Sequence, residues 1–297
     1  MLPTLRQLQY LKLLAHHGSF SRAAEAAHVT QPTLSAGIQE LEKILGAAMV
    51  DRNRSGVILT AVGEDVVSRG AAILAQTEDL VREARGAGEP LSGRFRLGVI
   101  PTVAPFMLPK ALPRLREGYP GLRLFLREDL THRLVADLKS GALDAAVIAL
   151  PYEMAGLDWS HVEDDELMAA FPVDHPLSLS GPVSPESLQG EELILLEDGH
   201  CLRDHALTAC GFGAGRRARD EGFAATSLAT LVQMVGSGLG VSFLPAMAVE
   251  AGLARAARIT VRALEAEHAS REIVVAWRAG STRAAEGRLL AATFAEI

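Results

Sequence analysis

The sequence predicts an α/β protein in three consecutive parts: an N-terminal winged helix-turn-helix, a long linker helix, and a larger open α/β domain. Three observations predict it. Residues 1–60 read as three short helices followed by a hairpin. Residues 61–90 carry apolar side chains at sevenfold spacing and then a Gly/Pro breaker cluster. Beyond that cluster, strands and helices alternate as βαβαβ, which implies a parallel sheet. A length of 297 residues suits two or more domains.

The head opens on a capping-box pair, Thr4 and Gln7, followed by Leu8, Leu11 and Ala15 at helical spacing. Gly18 ends this helix. A second runs from Ser21 to Ala27, and its Ala23, Ala24 and Ala27 let a neighbouring helix approach closely. Thr30 caps a third helix, with Pro32 tolerated in its first turn. Its buried stripe is expected to be Leu34, Ile38, Leu41 and Leu45, with Gly46 as the stop. Two short strands, Met49–Arg52 and Val57–Leu59, flank a turn at Asn53–Gly56. Opposite the apolar stripe of the third helix lie Gln31, Thr33, Ser35 and Gln39, beside Pro32. Such short hydrogen-bonding side chains suit base edges and phosphates in a major groove, and Arg52 and Arg54 of the wing suit the backbone. A merely solvated face is the ordinary reading of a polar helix surface. The helix–helix–helix–hairpin order tips the balance toward DNA.

The linker helix is expected over Thr60–Arg85. Val66, Val67, Ile73, Leu74, Leu80 and Val81 form its seam, which fits dimerisation better than packing on its own domain. Gly86–Pro90 marks the boundary. Strands follow at Arg94–Ile100, Leu122–Arg127 and Leu143–Leu150, separated by helices at Pro109–Glu117 and His132–Ser140. Further strands are expected at Leu193–Leu196, Val241–Leu244 and Glu272–Trp277, with a helix at Leu228–Gly236. Open α/β units bind ligands at the carboxyl ends of strands.

Composition excludes several classes. Hydrophobic residues make up 48% and charged residues 22%, as in ordinary soluble globular chains. No apolar run is long enough to span a bilayer, and the N-terminus reads as an amphipathic helix rather than a signal peptide, so a cytoplasmic location with no membrane partner is expected. The net charge is −7, but residues 1–60 carry about +2 and the remainder about −9, so a weakly basic head sits on an acidic body. The two cysteines, Cys201 and Cys210, are too few for a secreted disulfide scaffold; metal or redox chemistry remains open. The Gly236–Gly240 run follows a helix and precedes a strand, the reverse of a nucleotide-binding loop. Cys201, Cys210, His200 and His205 lack the CxxC spacing of a zinc site. A hydrolytic triad of Cys201, His200 and Asp204 is disfavoured, because triads converge from different elements. No cofactor is implied.

The segment SFSRAAEAAHVTQPTLSAGIQELEKILG (19–46), with Asp51-Arg52 and Leu59-Thr60-Ala61-Val62-Gly63, resembles the LysR-type transcriptional regulators. GVIPTVAPFMLP (98–109), LEDGHCLRDHALTAC (196–210) and ATSLATLVQMVGSGLGVSFLPAMAV (225–249) are similar to the peroxide-sensing branch of that family. The resemblance covers nearly the whole chain. It implies a periplasmic-binding-protein-like effector domain over 91–297, with subdomain I at about 91–165 plus 270–297 and subdomain II at about 166–269. It also implies promoter DNA, hydrogen peroxide, RNA polymerase and a cellular thiol reductant such as glutaredoxin or thioredoxin as partners. A homotetramer built as a dimer of dimers comes with it. Departures fall at Arg216, Arg217, Ala218, Arg219 and Gly222, where the family is more acidic and usually ends in a His, and at Ala224, which replaces a usual Arg.

The same resemblance makes Cys201 the peroxidatic thiol and Cys210 its resolving partner, and assigns peroxide positioning to Thr102, Thr131 and His200. A sensor thiol must ionise to attack peroxide, and His200 and Arg203 flank Cys201, with Asp204 next in line. Nine residues of helix rise about 13–14 Å and turn about 900°, which puts the two side chains on opposite faces. A disulfide needs Cα atoms within about 7 Å. If 202–209 is helical in the thiol form, closing the bond requires unwinding. Alternatives are two inert buried cysteines in a metabolite-sensing regulator of the same architecture, and a thiol peroxidase with an accessory head.

Overall fold

The computed structural model describes residues 1–51, 57–84, 89–179, 181–212 and 224–297. Arg52, Arg54 and the departures at Arg216, Arg217, Ala218, Arg219 and Gly222 lie outside the described residues. The chain forms two compact units, one of Met1–Gly88 with Lys139–Ala142 and one of Glu89–Leu138 with Leu143–Ile297.

In the first unit α1 (Leu5–His17), α2 (Phe20–Ala26) and α3 (Gln31–Leu45) precede β1 (Val50–Asp51) and β2 (Ile58–Leu59), which pair antiparallel, and α4 (Ala61–Ala84). The Thr4–Gln7 capping box forms, and Gly18 and Gly46 end α1 and α3 in the left-handed conformation. Leu8, Leu11 and Leu14 of α1 pack on Ala23 and Ala24 and on Leu34, Ile38 and Leu41 of α3. Leu45 is 39% exposed, contrary to the expected stripe, because it is the last helical residue and projects beyond the three-helix core. Thr60 starts α4: its hydroxyl accepts from the Gly63 amide at 2.9 Å and donates to the Ala48 carbonyl at 2.7 Å. Gly63 is obligatory, since a Cβ there would lie 2.2 Å from the Met49 carbonyl oxygen. The seam of α4 divides. Val66, Val67 and Leu74 pack on the head's own core, whereas Ile73, Leu80 and Val81 are exposed. Sevenfold spacing identifies an apolar face but not which partner covers it.

The second unit contains a seven-stranded sheet. In chain order it has β3 (Gly93–Val99), α5 (Ala104–Gly118), β4 (Leu122–Glu128), α6 (Thr131–Lys139), β5 (Ala145–Leu150), β6 (Leu157–Pro172), α7 (Cys201–Ala209), α8 (Leu228–Gly236), β7 (Ser242–Pro245), α9 (Ala246–Glu250), β8 (Ile259–Ala263), β9 (Ser270–Arg278) and α10 (Ala284–Ala295). The strand order is β4-β3-β5-β9-β6-β7, with β8 also on β6. β3 pairs parallel with β4 and β5, as the βαβαβ pattern predicts. The sheet is nevertheless mixed, because β9 returns from the far end of the chain and lies antiparallel to both β5 and β6. α5 begins at Ala104, not Pro109; Pro109 and Pro113 sit within it at exposed positions, away from the core it packs on. Leu193–Leu196 is not a strand: it makes only isolated bridges, Leu193 to Val241 and Leu196 to Ala225.

β6 joins two cores. Leu157–Glu166 pairs with β9 beside a cluster containing Phe95, Val147, Val274, Trp277 and Phe294. Leu167–Pro172 pairs with β7 and β8 beside a second cluster containing Phe171, Leu195, Leu231 and Phe243. Each fully buried aromatic contributes about 1.5–3 kcal/mol. Among the described residues no helix is long and apolar enough to cross a membrane.

Candidate functional site

The outer face of α3 carries Gln31, Pro32, Thr33 and Gln39 exposed and Ser35 half-buried. Thr30 caps the helix through the Thr33 amide, and its hydroxyl lies 2.8 Å from that of Thr33. Ser21 of α2 donates to Gln31 Oε1 at 2.9 Å, which orients the amide. Apolar packing therefore fixes α3 while its hydrogen-bonding face stays open, the arrangement a recognition helix needs.

The two cysteines lie at the two ends of α7, Cys201 as its first residue and Cys210 as its C-cap. Both are free thiols, 8% and 6% exposed. Cys201 belongs to the first core of this unit and Cys210 to the second. His200 is the N-cap residue, and its side chain makes no capping bond. Burial holds the His200 imidazole below its ordinary 6.5, partly offset by Glu197, so it is neutral at pH 7. Arg203 does not turn to the sulfur: it donates to the Leu196 carbonyl at 3.2 Å and pairs with Asp198 at 3.1 Å. Asp204 is exposed and lines a cavity of about 310 Å³ with Cys201, His205 and Tyr152. The Tyr152 phenol is pushed up by burial and by the nearby Cys201 and Glu153.

Thr102 and His200 line a neighbouring cleft of about 420 Å³, bounded by Pro101, Phe106, Asp129 and Ser227. Thr131 opens α6 but caps nothing: its hydroxyl is buried and has no hydrogen-bond partner. A buried unpaired hydroxyl is costly, and its retention points to a ligand or water. Sequence reasoning missed what holds Thr102. Arg271, fully buried, donates from Nη1 to the Thr102 hydroxyl at 2.7 Å and from Nη2 to its carbonyl at 3.1 Å. The same guanidinium forks onto Asp165, whose other oxygen accepts the Met247 amide at 3.0 Å. Because Thr102 Oγ1 accepts from an arginine, its own hydrogen is free to donate outward. Nothing local could announce this pair, since its members stand 106 residues apart. Among the described residues no cluster of three or more His, Cys, Asp or Glu suits a metal.

A helix-turn-helix unit with an open recognition face, on the same chain as an α/β unit with a ligand-sized cleft, defines a DNA-binding regulator. Residues 5–64 match the bacterial regulatory helix-turn-helix protein, lysR family, and residues 88–296 match the LysR substrate binding domain. The chain belongs to the LysR family of transcription regulators. It is 43% identical over 248 residues to the HTH-type transcriptional regulator EstR of Acinetobacter baylyi, covering 84% of this chain and 81% of that one. It is 42% identical over 245 residues to the DNA-binding transcriptional dual regulator OxyR of Escherichia coli, covering 82% and 80%. A full-length OxyR variant from Pseudomonas aeruginosa superposes with a TM-score of 0.81 at 35% identity, over 99% of this chain and 98% of that chain. A hydrogen-peroxide-bound OxyR variant from Corynebacterium glutamicum gives 0.66 at 31% identity, over 100% and 92%.

Proposed function

We propose that this regulator senses hydrogen peroxide through a reversible Cys201–Cys210 disulfide and controls oxidative-stress genes. The observation that carries the reading is α7 itself, a continuous helix with one thiol at each end and each thiol in a different core. The Cα atoms at its ends are separated by a rise of about 13–14 Å, while a disulfide tolerates about 7 Å. Oxidation therefore cannot be accommodated by side-chain rotation; it requires α7 to unwind. The Cys201 thiolate attacks one peroxide oxygen, the O–O bond breaks, and the other oxygen leaves as water after taking a proton. The Cys210 thiolate then displaces hydroxide from the Cys201 sulfenic acid to close the bond. A cellular dithiol of the glutaredoxin or thioredoxin class reverses it.

Thr102, Thr131 and His200 hold the peroxide in this reading. The free hydrogen of Thr102, the unpartnered hydroxyl of Thr131 and the neutral imidazole of His200 support it. Arg203 fixes the loop before α7 through Leu196 and Asp198, and Asp204 stands at the cavity rim. Residues 1–60 bind promoter DNA through Gln31, Pro32, Thr33, Ser35, Gln39, Arg52 and Arg54; 61–90 form the dimerising linker and hinge; 91–297 form the sensor. The protein works in the cytoplasm as a dimer of dimers that contacts RNA polymerase, and it is a switch rather than an enzyme. The OxyR names of its relatives support this assignment.

Non-reducing peptide mapping with and without peroxide, paired with promoter footprinting, tests the proposal. Expected are a Cys201–Cys210 cross-link, a changed footprint, and loss of both in Cys201→Ser. An unchanged response in Cys201→Ser rules it out. The cleft of about 420 Å³ supports one second reading, a sensor of a small metabolite with inert cysteines. That reading requires both thiols to survive sub-stoichiometric peroxide.

A further inference from the structure

α7 has one polar face. Cys201, Asp204, His205 and Thr208 recur at three- and four-residue spacing and line one cavity, closed from other elements by His132 and Tyr152. Asp204 and Thr208 are exposed at its rim, whereas Cys201 and His205 are buried at 8% and 6% exposure. His205 has a defined tautomer. Its Nε2 lies 3.1 Å from the Pro151 carbonyl, which can only accept, so Nε2 carries the hydrogen and Nδ1 carries the lone pair. That Nδ1 is buried without a hydrogen-bond partner. A buried acceptor left open, one helical turn from a buried thiol and on the same cavity, is positioned to receive a proton.

We propose that His205 Nδ1 is the proton acceptor for the Cys201 thiol. The oxidant assumed is the hydrogen peroxide of the preceding section, and to that extent the inference rests on that reading. The two side chains start about 5–6 Å apart at Cβ, and no direct bond links them, so the proton crosses on a water between them. The S–H bond breaks and Nδ1–H forms. The sulfur lone pair attacks the near oxygen and the O–O pair goes to the far oxygen. That oxygen takes the proton back from Nδ1 and leaves as water. Thiol plus peroxide becomes sulfenic acid plus water, and His205 is regenerated.

The surroundings keep His205 in its basic form. Burial is the main cause that holds its pKa below 6.5, and Arg271 on β9 adds to it; the Pro151 carbonyl and Asp204 oppose them. Asp165 pairs with Arg271, and His132 and Tyr152 face the same cavity from α6 and from the loop after β5. His200 faces the neighbouring cleft instead. The imidazole is therefore neutral at pH 7 and becomes unavailable only in acid.

The test uses the full chain carrying Cys210→Ser, so that one thiol remains, with His205, His205→Gln or His205→Ala. Two rates are followed from about pH 5 to 8.5. One is sulfenic acid formation at Cys201 after peroxide; the other is Cys201 alkylation by iodoacetamide with no peroxide present. Glutamine is close to histidine in size and can keep the bond to Pro151, but it cannot take a proton. Expected is a loss of about 100-fold in both rates at neutral pH in either variant, together with loss of the acid limb of the profile. Full rescue by His205→Gln with the acid limb intact would make His205 a packing residue and overturn the proposal. The alkylation arm keeps the two readings apart. Alkylation that depends on His205 with no peroxide reaction upholds the acceptor and sinks the peroxide reading, while rapid peroxide reaction indifferent to His205 does the opposite.

Discussion

Arg271→Met isolates the most demanding electrostatic arrangement in the sensor unit. The Arg271 side chain is 0% exposed and Asp165 is 2% exposed, and their closest approach is 2.8 Å. Removing the guanidinium leaves a carboxylate in the interior that still accepts the Met247 amide at 3.0 Å, and it frees the Thr102 carbonyl. Breaking a buried pair from one side costs about 3–5 kcal/mol. Replacing both partners, Arg271→Met with Asp165→Leu, removes the stranded charge. The residual cost is then that of the unpaired Thr102 carbonyl and Met247 amide, each about 1–3 kcal/mol and partly offset by apolar burial. The double variant is expected to be more stable than Arg271→Met by about 2 kcal/mol. Urea unfolding of the full chain followed by tryptophan fluorescence measures this. Both tryptophans, Trp159 on β6 and Trp277 on β9, lie in this unit, so the signal reports it alone. With a slope near 2 kcal/mol/M the single variant lowers the midpoint by about 2 M. A shift below about 0.5 M, or a double variant that equals the sum of the two singles, refutes the reasoning.

Gly63→Ala forces a methyl against the Met49 carbonyl and is expected to destabilise the head by about 1–3 kcal/mol, read as weaker promoter binding and a lower melting temperature of the helical signal. Gln31→Ala removes an amide already oriented by Ser21; it is expected to flatten discrimination between operator and mismatched DNA by about 1–3 kcal/mol in competition binding at fixed salt. Cys210→Ser is expected to leave Cys201 as a trappable sulfenic acid and to shorten the transcriptional response, because no thiol remains to lock α7 open; a persistent full response contradicts it. Burial depresses His200 and His205 below 6.5, so unfolding below that value takes up protons. Stability is full above pH 6.5 and declines as the pH falls through that value toward the folded pKa values; the urea midpoint at about pH 5.5 is expected below that at about pH 7.5, with a smaller difference in His205→Gln.

Local chemistry made the head readable. Thr4, Gly18, Thr30 and Gly46 are caps and stops that act within one turn, and the Leu34–Ile38–Leu41 stripe follows from the 3.6 period. β3, β4 and β5 were legible for the same reason: β5 is a continuous apolar run, and β3 and β4 interleave apolar side chains with arginines. β6 was not. It holds Glu163, Asp164, Asp165 and Glu166, and a central strand with four consecutive acids does not look like one. Its pairing with β9 satisfies the backbone across more than a hundred residues of chain, and Arg271 on β9 neutralises the buried Asp165. At the site, the cysteines, Thr102, Thr131 and His200 came from a motif. What fixes their environment, Arg271 and Asp165, came only from tertiary structure. His205 was visible in the sequence as a rejected zinc ligand; its open nitrogen depends on the distant Pro151 carbonyl.

The two halves of the sensor share a strand rather than a loop. One strand carries the chain from one core to the other, paired with β9 as far as Glu166 and with β7 and β8 beyond it, apart from a bulge between His161 and Glu163, so a swing of one half against the other has to bend a strand rather than turn about a loop. Information entering such a body travels more cheaply as a local change of chain path than as a swing of lobes. An input that severs and rebuilds one short helix suits that stiffness.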